Sequence, residues 1–242
     1  TFSYHLAFAY GKMNIFNFVE RTAALGLDGV QINVEGDDLA HLGNDDPGFL
    51  REPTDVAVAR DGTIFITEGH IKNGPNARIS KYTEDGTFIS HLGRTGQGHL
   101  QLSAPHAIAI DTEGRLFIAD RDNNRLMIWD TDGGYVDQWQ QFGRPSGVYI
   151  DHTDTIYVAD SESWGPDNPG WEKGIRVGSV STGQVHYFLK DIESMDFAHS
   201  GAEGVGVDTF GNIYGGVVRR QMLERHEPPT VQPARGATWD TP

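Results

Sequence analysis

One pattern occurs four times in this chain, and it constrains the fold more tightly than composition does. The copies run from Pro53 to Glu68, Pro105 to Asp120, Pro145 to Asp160 and Ala202 to Val217. Each opens with a short alternating strand, turns through polar residues that usually include Gly, and returns through Ile, Val, Phe and Tyr. Pattern and turn chemistry together predict a β-hairpin. A third strand follows, as in Arg78 to Tyr82 and Arg125 to Trp129. Asp85-Gly86 and Asp132-Gly133 then turn the chain into a fourth, Thr87 to Leu92 or Tyr135 to Trp139. Four antiparallel strands per repeat predict a β-propeller blade. Successive copies start 52, 40 and 57 residues apart. The shortest spacing matches the period of about 40 expected of a blade, and the longer ones carry insertions at His70 to Ala77 and Ser161 to Gly174. An antiparallel sandwich is the competing architecture, and repetition at this period argues against it.

Charge narrows the function classes. There are 34 acidic and 19 basic side chains, a net charge of -15. So acidic a surface repels phosphate backbones, which disfavours nucleic acid as a partner. No stretch is long and apolar enough to span a bilayer, so neither membrane nor nucleic acid is expected as a partner. Cysteine is absent, which excludes disulfides and thiolate metal sites. The chain begins at Thr1 without a charged and then apolar leader; the expectation is a soluble protein, with the cytoplasm favoured.

The repeats divide the chain into residues 1–50, 51–226 and 227–242. In the first segment, Thr1 to Ala9 reads as a strand, Asn14 to Leu25 as an amphipathic helix and Gly29 to Val34 as a second strand, a βαβ-like order. The last segment is rich in Pro and lacks periodicity. Four blades leave an open edge; the N-terminal segment could cover it, a homo-oligomer could form through it, or the chain could be part of a longer protein.

The blade motif Ala119-Asp120-Arg121-Asp122-Asn123-Asn124-Arg125 resembles the NHL repeat family, and the resemblance extends over about 175 residues. It implies an all-β, NHL-type propeller with about four blades visible, in a family whose closest-looking enzymes have six. The run Ala24 to Ile32 resembles the opening of a xylose-isomerase-like sugar phosphate isomerase/epimerase barrel; one βα pair cannot close such a barrel.

The innermost strand of a blade lines the propeller channel, and the residue after the opening Pro is expected near its axis. Those residues are Thr54, His106, Ser146 and Glu203. An imidazole and a carboxylate on one axis, His106 and Glu203, could hold a divalent metal or could simply be solvated there. Trp164 and Trp171 either line a pocket or pack their own loop. The run Gly93 to His99 precedes no helix, so it is no phosphate loop.

Glu52 to Val58, Ala104 to Ile110 and Ile118 to Arg125 also resemble the core of peptidyl-α-hydroxyglycine α-amidating lyases. That resemblance implies cleavage of a carbon–nitrogen bond at a zinc held by three histidines, with a catalytic tyrosine and arginines around the substrate. His106 matches one zinc-ligand histidine; Glu203 stands where another would be. Arg121 matches an active-site arginine and could bind a substrate carboxylate bidentately; the alternative is an inter-blade ion pair with Asp120 or Asp122. His70 occupies the tyrosine's place and could serve as a base, or be an exposed loop residue. The expected function is thus a zinc-dependent lyase-like propeller for a small polar or peptide substrate. The alternatives are a non-catalytic binding module and a calcium-dependent lactonase, for which Glu203 alone is suitably placed.

Overall fold

A computed structural model describes residues 50–192 and 200–227. The βαβ-like opening with its barrel resemblance, and the Pro-rich tail beyond Glu227, lie outside the described residues.

The four repeats are four blades. The first holds β1 (Pro53–Val58), β2 (Ile64–Glu68), β3 (Arg78–Tyr82) and β4 (Phe88–Leu92). A short parallel pair, β5 (Arg94–Thr95) and β6 (Gln101–Leu102), links it to the second. That blade holds β7 (Pro105–Ile110), β8 (Leu116–Asp120), β9 (Arg125–Trp129) and β10 (Tyr135–Trp139). The third holds β11 (Pro145–Ile150), β12 (Thr155–Asp160), β13 (Gly174–Ser179) and β14 (Val185–Lys190). The fourth has three strands among the described residues: β15 (Ala202–Val207), β16 (Ile213–Val217) and β17 (Met222–His226).

A repeated aspartate shapes the inner hairpins. Asp111 Oδ1 accepts the N–H groups of Glu113 and Arg115, and Asp151 Oδ1 those of Thr153 and Thr155. Asp208 does the same for Phe210 and Asn212. Such turns need one residue at positive φ; Gly114 and Gly211 supply it, and Asp154 does so at φ 58°. Aspartate is among the few side chains that tolerate that conformation.

The core is a set of layers between blades. Leu116, Ile118, Met127 and Trp129 pack toward the first blade, while Phe117, Ala119, Leu126 and Ile128 pack toward the third. Strand residues alternate sides, and here both sides are buried, so β8 and β9 read as continuous apolar runs. Each large side chain so buried contributes roughly 1.5–3 kcal/mol. The innermost strands lie side by side in the order β1, β7, β11, β15. Thr54 Oγ1 donates to the Pro105 carbonyl at 2.8 Å, and Ile108 N donates to Asp55 Oδ2 at 2.9 Å. Among the described residues, β15 and β1 do not pack together as neighbours do.

Candidate active site on the inner face

Each blade contributes to the inner face from two places, its opening and the loop between its second and third strands. The openings carry Glu52, His106, Arg144 and Glu203. The loops carry His70, Arg121 with Asp122, Glu162 and Arg219, each one or two residues past the end of its blade's second strand. Both insertions seen in the sequence fall in this same loop, after β2 and after β12.

His106 leads from β7 toward β11. Its Nδ1 stands 3.0 Å from the Ser146 carbonyl oxygen. A carbonyl only accepts, so Nδ1 carries the proton and Nε2 keeps its lone pair. Burial, Arg121, His70 and Arg144 together push the imidazole down to about 3, so it stays neutral at physiological pH. The His70 ring lies 5.2 Å from the His106 ring, centroid to centroid. Partial burial and the Arg121 charge hold His70 below its ordinary value, against the pull of Glu162, Glu52 and Asp122.

The sequence left two partners open for Arg121, and the structure uses neither. Asp120 Oδ2 accepts from Arg125 Nε at 2.7 Å, and Asp122 is paired with Arg144. Arg121 is 8 % exposed, its Nε is buried without a hydrogen bond, and its nearest carboxylate is Glu162 at 4.0 Å. A buried guanidinium with an unfilled donor is chemically suited to a carboxylate or another anion. Glu203 sits two blades from His106, on β15. Burial raises its carboxyl, as does the charge of Glu162, while Arg121 and Arg219 pull the other way.

Thr54 and Ser146 turn into the protein instead. Thr54 bonds Thr67 and the Pro105 carbonyl, and Ser146 Oγ lies 2.6 Å from Ser161 Oγ. Trp171 packs its own loop: the Arg176 guanidinium lies between its ring and that of Phe188, at 4.9 and 4.4 Å. Glu162 and Arg144 were not singled out from the sequence. Aligning the repeats on the end of each second strand would have found Glu162.

Residues 102–129, the core of the second blade, match the NHL repeat model. The chain carries an NHL repeat. This NHL propeller is 33% identical over 82 residues to human NHL repeat-containing protein 3, covering 34% of this chain and 23% of that protein. It is 24% identical over 179 residues to a probable peptidyl-alpha-hydroxyglycine alpha-amidating lyase of Caenorhabditis elegans, covering 71% and 48%. It is 32% identical over 127 residues to Xenopus laevis peptidyl-glycine alpha-amidating monooxygenase B, covering 46% and 14%. The chain spans less than half the length of each of these relatives.

Zinc is implied by the lyase resemblance, so the donor set matters. His106 fits a ligand's needs, with Nδ1 fixed by a carbonyl and Nε2 free. His70 is the metal-binding side chain type beside it. Among the described residues, no three His, Asp or Glu side chains form a group that could hold a metal ion. The described residues therefore form no three-ligand metal centre; His106 and His70 are the two imidazoles they bring together.

Proposed function

We propose that this NHL propeller is a carbon–nitrogen lyase of the amidating-lyase kind, acting on a small α-hydroxyglycine-type substrate at the inner face. The observation that carries this reading is the Arg121 guanidinium, buried and without a hydrogen bond beside two neutral imidazoles. Its fork matches a carboxylate bidentately. The names of two of the relatives point to the same chemistry.

In this reading Arg121 binds the substrate carboxylate and orients the α-carbon. His70, neutral at pH 7 because its pKa is lowered, takes the proton of the α-hydroxyl. The oxygen electrons form the new carbonyl, the N–C bond breaks toward nitrogen, and the protonated His70 returns the same proton to that nitrogen. The products are an amide and glyoxylate. His106 Nε2 accepts a hydrogen bond or donates to a metal, and it needs no deprotonation to do so.

The test is glyoxylate release from α-hydroxyhippurate, with zinc present and with zinc chelated. The wild type is expected to release it, and His70→Phe to lose about 100-fold or more in kcat. The acid limb of the wild-type profile falls below pH 6.5, since His70 titrates below its ordinary value. Elemental analysis of the wild type and His106→Ala runs beside it and reads whether zinc is held and whether this imidazole contributes to holding it. A folded, zinc-supplied protein that releases no glyoxylate would overturn the reading and leave the blades as a binding surface.

A further inference from the structure

Arg144 precedes Pro145 at the opening of the third blade and is 5% exposed. Its NH2 nitrogen pairs with Asp122 Oδ1 and lies 3.5 Å from Glu162 Oε2. Its NH1 nitrogen donates to the Arg121 carbonyl at 3.2 Å and to Asn124 Oδ1 at 3.4 Å. Its backbone N–H donates to Asp160 Oδ2 at 3.1 Å. One side chain therefore ties the turn after β8, which carries Arg121, to the loop after β12, which carries Glu162.

The decisive geometry is a competition for one oxygen. Glu162 Oε2 stands 3.5 Å from Arg144 and 4.0 Å from Arg121 Nε. Between two guanidiniums, a carboxylate goes to the one that offers better geometry and less desolvation. Without Arg144, Glu162 would have one cation left to pair with. It would close on Arg121 and fill the fork that a ligand carboxylate needs.

We infer that Arg144 is a positioning residue that draws Glu162 aside and so keeps the Arg121 guanidinium open for an anionic ligand. The inference rests on the proposed role of Arg121 and concerns residues that touch no reacting atom. Lysine would be a poor substitute, because a point charge cannot hold Asp122, Glu162 and the Arg121 carbonyl together.

The experiment is a calorimetric titration with glyoxylate of the wild type, Arg144→Met, and Arg144→Met combined with Glu162→Gln. Affinity is expected to fall about tenfold in the single variant, the worth of one charge-assisted contact, and to return in the double variant. A purely structural Arg144 would not be rescued by removing a second charge. Unchanged affinity in Arg144→Met, or no recovery in the double variant, would overturn the inference. If Arg144→Met does not fold, Arg144→Lys with and without Glu162→Gln replaces it under the same criteria. If the wild type itself binds no glyoxylate, the role of Arg121 falls. Hydrogen exchange then decides the positioning role alone: residues 121–124 and 161–163 are expected to exchange faster together in the Arg144 variant, and unchanged protection at both would refute it.

Discussion

Arg121 and Arg125 stand four residues apart in the second blade, at 8 % and 6 % exposure, yet they live in opposite surroundings. Arg125 donates from all three nitrogens: to Asp120, to Gln138, and to the carbonyls of Gln97, Gly98 and Gln101. It closes the blade and organises the loop that reaches it from the first. The register equivalent in the first blade joins Glu68 to Arg78, and in the third Asp160 reaches Arg176, two residues beyond its register partner Gly174. In the fourth blade the matching register pair is Val217 and Met222. The Arg121 side chain makes no hydrogen bond among the described residues and faces Glu162 across 4.0 Å. Burial of a cation is tolerated in the first case because every donor is filled. In the second it is a cost that stability does not explain, and that is where function is to be sought.

Breaking the filled site should do the most. Arg125→Ala leaves Asp120 buried and unpaired, and is expected to cost about 3–5 kcal/mol in denaturant unfolding. The folded fraction should bind glyoxylate as the wild type does. An equal loss of binding would mean that the two arginines do not serve separate ends.

Asp55 sharpens the contrast from the acidic side. It accepts from the N–H groups of Ile108 and Val56, with no ion pair among the described residues. Burial pushes its carboxyl up to about 6. The folded pKa exceeds the unfolded one, so the folded state binds the proton more tightly. Stability should therefore fall as pH rises from about 4 to about 6, by up to ~3 kcal/mol. Urea unfolding across that window, repeated on Asp55→Asn, reads the slope; the variant should lose it.

The smallest stability effect belongs to the unfilled site. Arg121→Met removes a buried charge that makes no hydrogen bond, and should change unfolding free energy by less than about 1 kcal/mol. A loss of several kcal/mol would give Arg121 the same structural office as Arg125.

The blades were legible in the sequence because their signal is repeated. Alternation in β7 and the apolar runs of β8 and β9 follow from strands buried on both sides, and the turn aspartates mark the hairpins. The positions of His106 and Arg121 within their blade were legible as well, since each sits at a fixed point of the repeat. The partner of Arg121 was not. The nearest carboxylates in sequence, Asp120 and Asp122, are taken by Arg125 and Arg144, and this depends on how neighbouring blades meet. Glu162 opens an irregular Gly- and Pro-rich insertion without periodicity, and only its distance from the end of β12 marks it as the counterpart of His70 and Asp122. Thr54 and Ser146 share His106's place in the repeat but are short enough to be absorbed by neighbouring hydroxyls and carbonyls, so position alone did not tell a channel residue from a structural one.

The account turns on whether the open guanidinium of Arg121 receives a carboxylate, and calorimetric titration of glyoxylate into the wild type and Arg121→Met tests this most directly. Saturable binding in the wild type, weakened about 30-fold or more in the variant as expected for a lost charge-assisted pair worth ~2 kcal/mol, is the predicted result. Equal affinity in both proteins, each shown to be folded, would contradict it.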